Sequence, residues 1–307
     1  MHIYNQNSSL LHEISDNSID AIVTDPPYGI SLEKWDVLPE KTIWENCFRV
    51  LKPGGFLLCF SSIRTQHLLT QHIIDVGFDI KDVLLWIYLN GRVPAMNIDE
   101  KIDNALGNKR EVIGHYEYIQ GSPNSHKKNT YKAKVAKTAP TCDSLAWVGF
   151  GLGLKTAYEP ILMLQKPYMG NLANNLLNFG TGAVNIDETR IAFDINERKP
   201  GQNAHPDGRV MSNIIQTEAF GDYQKFFFVG KVRDGKKTGN IHPTAKPLEL
   251  MQCLIKLVSK PEDTILDPFM GSGSTGVAAI ELNRNFIGYE LKKEYFEIAQ
   301  KRINDVK

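Results

Sequence analysis

The chain has 307 residues, a formal net charge of +0, 42% hydrophobic residues and 23% charged residues. This composition is that of a globular protein and excludes wholesale disorder. The balanced charge excludes a global electrostatic field for nucleic acid, so any nucleic-acid contact has to rest on local basic patches.

Cysteine usage and the chain start indicate a cytoplasmic protein. The cysteines are scattered, without the paired spacing of a metal site: Cys47, Cys59, Cys142 and Cys253. Free cysteine is usually a small buried hydrophobe, so this pattern favours a reduced intracellular protein with no metal. His2–Asn7 is too polar for a signal peptide, and the purest apolar run, Val83–Leu89, is too short to span a bilayer.

The first third of the chain alternates strands with helices. Strands are predicted at Met1–Tyr4, Ala21–Thr24, Phe56–Phe60 and Val83–Leu89, with a short helix or turn at Ser8–Ile14. Apolar residues at helical spacing predict two helices, from Ile43 to Leu51, stopped by Lys52–Gly55, and from Leu68 to Val76, ending near Gly77. This alternation is typical of an α/β fold with a mostly parallel sheet covered on both faces.

The strand Ala21–Thr24 runs into Asp25-Pro26-Pro27-Tyr28, which combines a carboxylate, two prolines and an aromatic ring. Pro27 pushes Pro26 towards extended backbone, and neither proline can donate an N–H, so the local carbonyls are held stiffly and can accept hydrogen bonds from another molecule. We interpret this segment as a socket for a flat molecule with an amino group. The alternative is a rigid strand-to-loop turn with a buried tyrosine.

Residues 92–156 interrupt the alternation. A short helix is predicted at Ile98–Leu106, followed by a polar stretch without periodicity. Between Gly121 and Cys142 there is no Asp or Glu, but there is a series of lysines: Lys127, Lys128, Lys132, Lys134 and Lys137. The stretch is either a solvated surface loop or an arm that contacts nucleic-acid phosphates, and in the second case replacing these lysines should flatten the salt dependence of binding.

The middle of the chain returns to regular structure only briefly. Glu159–Gln165 is an apolar strand that we expect to pair antiparallel with Val83–Leu89. Residues 168–240 are rich in Asn, Gly, Asp and Arg, with short apolar pieces at Ala183–Ile186 and Phe226–Val229, which predicts a separate small module or a large insertion. Its end is basic: Lys231, Arg233, Lys236 and Lys237.

The last third has the clearest pattern. Pro247 opens a helix, and a βαβα unit follows: the strand Thr264–Leu266, the helix Thr275–Leu282, the strand Asn285–Tyr289 and a terminal helix that buries Tyr295, Phe296, Ala299 and Ile303. In the turn after the first strand, Gly271 and Gly273 let the backbone approach a ligand, and Ser and Thr can cap the next helix.

Glu290 strengthens the interpretation of that turn. It directly follows the strand Asn285–Tyr289 and lies 19 residues after Gly271, where a carboxylate meets ribose hydroxyls in nucleotide-binding βαβ folds. The turn alone could be ordinary, but with the strand, the helix and the carboxylate it indicates a nucleotide-like ligand. The chain has no Gly-Lys-Ser/Thr phosphate loop, which disfavours ATP hydrolysis.

Three motifs together resemble the DNA methyltransferases that use S-adenosylmethionine to modify exocyclic amino groups. Asp25–Tyr28 looks like their catalytic Asp-Pro-Pro-Tyr motif, and Asp267–Thr275 with Phe286–Glu290 looks like their cofactor signature. His242–Pro247 resembles the His-Pro-Thr-x-Lys-Pro segment that precedes their cofactor strand. The order of the motifs is similar to the family's permuted β arrangement, and the resemblance covers residues 1–90, 157–167 and 226–307.

The resemblance implies a Rossmann-like methyltransferase sheet, mostly parallel with one antiparallel hairpin, circularly permuted, and with an inserted DNA-recognition region. Residues 1–167 would form the catalytic half, with the basic insertion at 92–156. Residues 168–240 would be the target-recognition region, and residues 241–307 the cofactor-binding half.

The resemblance also implies roles for residues. Asp25 and the carbonyl of Pro26, stiffened by Pro27, would accept hydrogen bonds from the target amino group, and Tyr28 would stack on a base flipped out of the duplex. Glu290 would hold the ribose of S-adenosylmethionine. The remaining cofactor contacts would be Asn7, His242, Thr244, Lys246, Asp267, Phe269, Gly271, Ser272, Gly273, Ser274 and Thr275. One departure is that Asn5–Asn7 stand where relatives usually have an Asp near the cofactor adenine.

The function we predict is site-specific methylation of double-stranded DNA at adenine N6, in the cytoplasm of a bacterial or phage-infected cell. Asp before Pro-Pro-Tyr favours adenine over cytosine N4 in this family, and no cysteine has the Pro-Cys context of cytosine C5 methylation. We expect DNA contacts from the five lysines between 127 and 137 and from Arg233, Lys236 and Lys237. A cognate restriction enzyme and a second copy of the chain are the expected partners. The alternatives are a non-catalytic DNA-binding protein and an enzyme that methylates RNA or protein glutamine.

Overall fold

The computed structural model of the protein describes residues 1–9, 11–31, 33–88, 97–120, 131–154, 156–192, 205–216, 228–229 and 246–306. The chain divides into two compact units, one of residues 1–88 and 158–307 and the other of residues 89–157. Within the described chain, no helix is both long and apolar enough to cross a membrane.

Eleven strands and seven α-helices make up the described regular structure. The strands are β1 (His2–Tyr4), β2 (Ile19–Thr24), β3 (Leu51–Phe60), β4 (Asp79–Ile87), β5 (Val112–Gln120), β6 (Tyr131–Thr138), β7 (Tyr158–Gln165), β8 (Ile214–Gln216), β9 (Phe228–Val229), β10 (Thr264–Asp267) and β11 (Asn285–Tyr289). The helices are α1 (Lys41–Val50), α2 (Gln66–Ile74), α3 (Ile98–Leu106), α4 (Leu172–Phe179), α5 (Leu248–Val258), α6 (Ser274–Glu281) and α7 (Lys293–Asn304).

The first unit is built on a nine-stranded sheet with the order β1-β11-β10-β2-β3-β7-β4-β8-β9. Every pair in it is parallel except those of β7, which runs antiparallel to β3 and to β4. The predicted α/β fold and the predicted antiparallel pairing of Glu159–Gln165 are therefore confirmed. Because β7 runs the other way, its first residues lie at the edge where the parallel strands end.

Helices cover both faces of this sheet, as the alternation of strands and helices predicts. Along β2, Ala21 and Val23 contribute to a core shared with α5, α6 and α7, whereas Ile22 contributes to a core shared with α1 and α2. Successive residues of a strand point to opposite faces, so a strand covered on both faces is apolar throughout. This explains why β2 is fully buried along its length.

The junction of α1 and β3 differs from the prediction. The helix ends at Val50, and β3 begins at Leu51, so Lys52–Gly55 lie within the strand. The β2–β3 pairing shifts there, from Leu51 opposite Ile19 to Phe56 opposite Ala21. A side chain at Gly55 would come within 2.8 Å of Leu51, so glycine is required at this irregularity. The glycines and proline thus mark a bulge rather than the end of a helix.

Residues 168–240 do not form a separate module in their described part. β8 and β9 extend the edge of the main sheet in parallel with β4, and these residues belong to the same unit as that sheet. Ala183–Ile186 is not a strand and precedes a short 3₁₀-helix at Asp187–Thr189. In the terminal helix, Ala299 and Ile303 are buried as predicted, whereas Tyr295 and Phe296 are only partly buried.

The second unit contains α3, with the predicted bounds, and an antiparallel pair of strands, β5 and β6. Our prediction of a stretch without regular structure is wrong for residues 112–120 and 131–138. Lys132 pairs with Ile119 and Lys134 with Glu117 in this ladder. The alternation Lys132-Ala-Lys134-Val is a strand signal, which the lysine content obscured.

Asp103 of α3 fixes this unit internally. Its carboxylate is fully buried and accepts hydrogen bonds from the backbone N–H of Thr141 at 3.2 Å and from Ser144 Oγ at 2.7 Å, and the Thr141 hydroxyl also donates to it. Arg110 Nη1 lies 3.6 Å away. Burial alone would raise the pKa of Asp103, but the hydrogen bonds from Thr141 and Ser144 outweigh burial and lower it to about 2.

We expect this aspartate to make the protein sensitive to acid. The folded pKa is about 2 and the ordinary value is 3.8, so its contribution to stability is complete above about pH 5 and is lost progressively as the pH falls through 2 towards about 1. Urea unfolding of the parent and of Asp103→Asn should differ at pH 6, and the difference should shrink as the pH falls below 4. Asp143→Asn, at an exposed neighbour that also accepts from Asn108, is the control. A difference that does not vary with pH would contradict this assignment.

Candidate active site

The Asp25 motif and the glycine-rich turn leave the sheet side by side. β2 ends at Thr24 and β10 ends at Asp267, and these strands are parallel neighbours. Thr24 Oγ1 donates a hydrogen bond of 2.7 Å to Asp267 Oδ1, which links the two loops at their roots. Ligands of open α/β sheets bind at this carboxyl edge. The sheet therefore brings together the two predicted pieces of chemistry.

A buried carboxylate holds the loop after the prolines in one conformation. Asp36 Oδ1 accepts from the backbone N–H groups of Tyr28 at 2.7 Å and Gly29 at 2.8 Å, and Oδ2 accepts from Ile30 at 3.0 Å. Thr65 Oγ1 donates to the carbonyl of Tyr28 at 2.6 Å. Sequence reasoning missed Asp36 and Thr65, because neither belongs to a recognisable motif. Their bonds keep Tyr28 in position.

Four side chains form one hydrogen-bonded group at the edge, which we call the carboxylate cluster: Asp25, Tyr28, Glu159 and Lys246. Tyr28 Oη lies 2.8 Å from Asp25 Oδ1 and 2.9 Å from Glu159 Oε2. Lys246 Nζ lies 2.6 Å from Asp25 Oδ2, 3.3 Å from Tyr28 Oη and 3.5 Å from Glu159 Oε2. The Lys246 side chain is only 7% exposed.

Glu159 reaches the cluster because β7 is antiparallel. It is the second residue of that strand and pairs with Trp86 of β4. Its other oxygen, Oε1, accepts from Tyr88 Oη at 3.4 Å. The sequence analysis predicts this strand but assigns no role to Glu159. The available signal was a charged residue immediately before the buried apolar run Pro160–Leu164.

Charge balance in the cluster fixes two protonation states. Burial raises the pKa of Tyr28 well above its usual range, and the charges of Asp25 and Glu159 raise it further, so the phenol stays neutral. For Lys246, burial alone would lower the pKa, but Asp25 and Glu159 outweigh burial and raise it. Lys246 is therefore an ammonium group between two carboxylates.

Aromatic rings also surround the ammonium group of Lys246. The distances from Nζ to the ring centroids are 4.9 Å for Phe60, 5.5 Å for Tyr28 and 6.0 Å for Trp86.

Lys246 makes a contact that the resemblance does not imply. Its expected place beside the cofactor stays a prediction, whereas the structure shows its ammonium group 2.6 Å from the carboxylate of Asp25 in the Asp-Pro-Pro-Tyr motif. Long side chains are placed by tertiary packing, so a motif does not give the direction in which Lys points.

Asp267 lies beneath the glycine-rich turn. It is buried, and its carboxylate accepts from Thr24, from Thr275 Oγ1 at 2.6 Å and from the backbone N–H of Phe269 at 3.0 Å. Burial raises the pKa of Asp267 to about 6, against these hydrogen bonds. Asp267 therefore ties the turn to β2 and to the first turn of α6. Phe269 is partly buried and packs near Trp44, with ring centroids 6.2 Å apart.

The carboxylate of Glu290 contacts the glycine-rich turn. Glu290 Oε2 accepts from the backbone N–H of Gly271 at 3.0 Å, and Oε1 accepts from that of Lys292 at 2.7 Å. Burial raises the pKa of Glu290, opposed by these two backbone bonds. Gly273 has φ +82°, and a Cβ there would meet Ala299 at 2.9 Å, so no other residue fits that position without displacing α7.

The serines of the turn do not cap α6, contrary to the prediction. Gly273 is the N-cap residue and offers no side chain. Ser272 and Ser274 instead accept from Arg302 Nη1, at 3.1 Å and 3.4 Å.

The asparagines after β1 make hydrogen bonds within the protein. Asn7 Oδ1 accepts from the backbone N–H of Ser9 at 2.9 Å, while Asn5 Nδ2 donates to the carbonyl of Glu290 at 2.8 Å.

Several predicted site residues lie outside what the structure describes. For the cofactor these are His242 and Thr244, and for DNA they are Lys127, Lys128, Arg233, Lys236 and Lys237. Lys132 and Lys134 are described only in their backbone. Lys137 is exposed.

The residues at the edge suit S-adenosylmethionine. The Glu290 carboxylate is held by two backbone N–H groups and has the chemistry to accept from ribose hydroxyls, and Phe269 has an aromatic ring in the turn that follows β10. Gly271 and Gly273 have left-handed backbone, with φ of +52° and +82°, in the turn that follows β10 at this edge. Among the described residues, no group of His, Cys, Asp and Glu side chains could hold a metal ion.

Comparisons with known proteins agree with this geometry. The family model for N6/N4 DNA methylases matches residues 19–301. The type II methyltransferase M.HindIII of Haemophilus influenzae is 30% identical, over 98% of this chain and 94% of that protein.

Two solved structures share the fold. The cytosine-N4-specific PvuII DNA methyltransferase has a TM-score of 0.54 and 17% identity, over 99% of this chain and 90% of that one. A DNA modification methylase of Thermus thermophilus in complex with S-adenosyl-L-methionine has a TM-score of 0.51 and 19% identity, over 99% and 93% of the two chains. The chain belongs to the DNA methylase family whose members use S-adenosylmethionine to methylate exocyclic amino groups of DNA bases.

Proposed function

We propose that the protein methylates adenine at N6 in a specific sequence of double-stranded DNA. The observation that carries the proposal is Asp25, whose carboxylate stands at the carboxyl edge of β2 beside the turn that suits the cofactor. Aspartate before Pro-Pro-Tyr supports adenine over cytosine by resemblance.

The chain would act mainly by orienting the target amine. The lone pair of an exocyclic amine is shared with the ring, which makes the nitrogen a poor nucleophile. The Asp25 carboxylate and the Pro26 carbonyl would accept its two hydrogens and favour the pyramidal geometry needed for attack. The ring of Tyr28 would stack on the extruded base. S-adenosylmethionine, held by Glu290 and the turn at Gly271–Gly273, supplies an electrophilic methyl group, and alignment of nitrogen and methyl lowers the barrier further.

Lys246 would hold Asp25 ready for this role. Its ammonium group occupies Oδ2 at 2.6 Å, so the incoming amine would donate to Oδ1, which can accept a second hydrogen bond beside its contact with Tyr28 Oη at 2.8 Å. The bonds of Asp36 to the following backbone restrict the loop. Preorganised acceptors cost no reorganisation during the reaction, which is why such supports raise the rate.

The experiment that tests the proposal is identification of the product. Purified protein, unmethylated DNA and tritiated S-adenosylmethionine are incubated, and the nucleosides are separated after digestion. N6-methyldeoxyadenosine is expected. Detection of N4-methyldeoxycytidine instead would identify cytosine as the substrate. Absence of label in every base would favour a DNA-binding protein without activity. RNA and protein acceptors in the same assay test the remaining alternatives.

We propose further that the basic residues of 121–140 and the segment 168–240 contact DNA. Exposed Lys137 and the position of β8 and β9 at the edge of the sheet support this role. A cognate restriction enzyme and a homodimer stay predictions.

A further inference from the structure

The hydrogen bonds of Tyr28 leave a place for one additional proton. Tyr28 Oη lies 2.8 Å from Asp25 Oδ1 and 2.9 Å from Glu159 Oε2, both within hydrogen-bond distance. A phenol carries one hydroxyl proton and can donate to one carboxylate at a time. The second short contact is a hydrogen bond only when another proton lies between its two oxygens. Lys246 does not supply this proton, because its ammonium group donates to Asp25 Oδ2 and directly to Tyr28 Oη, and neither N–H lies between Tyr28 Oη and Asp25 Oδ1 or Glu159 Oε2.

We propose that Glu159 receives the proton that the target amino group loses, by way of Asp25 and Tyr28. This inference rests on the proposed function, since it assigns the fate of a proton in amine methylation. It adds to that function a residue outside the Asp-Pro-Pro-Tyr motif, from a strand 131 residues away in the chain.

Each bond and each proton in the methyl transfer is accounted for. The N–C bond forms while the C–S bond of the sulfonium breaks, and sulfur keeps the bonding electron pair. The nitrogen sheds one of its two hydrogens as a proton to Asp25 Oδ1, since Lys246 occupies Oδ2. That proton passes to Tyr28 Oη as the hydroxyl proton of Tyr28 moves to Glu159 Oε2. Asp25 is again a carboxylate, Tyr28 is unchanged, and Glu159 becomes a carboxylic acid.

The surroundings of the cluster suit this direction of transfer. Tyr28 sits between two carboxylates, which disfavours a free tyrosinate, so its hydroxyl can pass a proton on but not keep a negative charge. The side chain of Glu159 is 22% exposed, which gives the proton a way to water after the reaction. Lys246 remains charged throughout and prevents the two carboxylates from repelling each other.

Single-turnover kinetics of Glu159→Gln test the relay. The amide retains an oxygen that accepts from Tyr28 but cannot take up a proton. We expect the methyl-transfer rate on DNA to fall by at least about 10-fold, because general-base contributions are typically larger than this. Affinity for S-adenosylmethionine and extrusion of a 2-aminopurine target should stay within about 2-fold of the parent, since general-base catalysis acts on the chemical step.

Two further measurements separate a relay from a structural role. Proton transfer should become rate-limiting in Glu159→Gln, so the solvent deuterium isotope effect on the single-turnover rate should exceed that of the parent. Glu159→Asp should recover part of the rate, because it restores a carboxylate. Glu297→Gln, at an exposed acid of α7, is the matched control.

The outcomes are distinguishable. A parent that methylates DNA and a Glu159→Gln variant with the same rate and isotope effect would overturn the relay and leave the proposed function intact. Loss of cofactor affinity or base extrusion in proportion to the rate would assign Glu159 a structural role instead. A parent that transfers no methyl group to DNA would overturn the proposed function, and the relay with it.

Discussion

Replacing Asp25 by alanine is expected to lower the rate of methyl transfer to DNA by at least about 10²-fold, the usual effect of removing one preorganised hydrogen-bonding group from an active site. Alanine removes the proposed acceptor for the target amine and leaves Lys246 with Glu159 as its remaining carboxylate. Asp267 and Glu290, which we propose as cofactor contacts, keep their own hydrogen bonds, so affinity for S-adenosylmethionine should change little. Single-turnover assays with tritiated cofactor and equilibrium binding measure the two quantities.

Two variants make this result interpretable. Asp25→Asn keeps one oxygen acceptor but removes the charge that pairs with Lys246, so its rate should lie between those of the parent and the alanine variant. Asp16→Ala, at an exposed aspartate paired with Arg49, controls for general loss of a carboxylate. An alanine variant that methylates DNA as fast as the parent would remove Asp25 from the mechanism.

The parts of the fold that the sequence predicts are those with local signals. The unit from β10 to α7 follows from a buried strand, a glycine turn and a helix in immediate succession, and the bounds of β11 agree with the prediction. The expected antiparallel pairing of β7 with β4 joins two runs that each have a local apolar signal. The β5–β6 ladder was missed because the lysines suggested a solvated loop, although polar residues can alternate along a strand.

The site was predicted less completely, for a different reason. Asp25, Tyr28, Gly271 and Glu290 stand in motifs, and the sheet brings them to one edge. The partners of Asp25 come from distant parts of the chain: Lys246 is 221 residues away, and Glu159 contacts Tyr28 across 131 residues. Strand order and side-chain direction decide such contacts, and a single sequence specifies neither. Resemblance assigned Lys246 to the cofactor because a motif carries a residue's identity but not its direction.

Replacing Lys246 by methionine tests the interpretation of the cluster through stability. Methionine is similar in length and keeps contact with the surrounding rings, but it leaves Asp25 and Glu159 as uncompensated charges. Removing one partner of a buried ion pair typically costs about 3 kcal/mol or more, and the Lys246 side chain is 7% exposed. We expect the free energy of unfolding, measured by urea titration at pH 7, to fall by about this amount. Lys293→Met, at a lysine that is 79% exposed, should have little effect.

A second substitution, Glu159→Gln, tests the same interpretation because it should raise the free energy of unfolding in one background and not in the other. In the parent, Glu159→Gln removes a charge that the ammonium group compensates, so the free energy of unfolding should stay equal or fall. In the Lys246→Met background the same substitution removes an uncompensated charge, so it should raise the free energy of unfolding. The double-mutant cycle isolates this coupling because the two side chains are in direct contact. If Glu159→Gln has the same effect in both backgrounds, the ammonium group does not compensate Glu159. Weakened binding of S-adenosylmethionine by Lys246→Met alone would instead return Lys246 to the cofactor, as the motif implied.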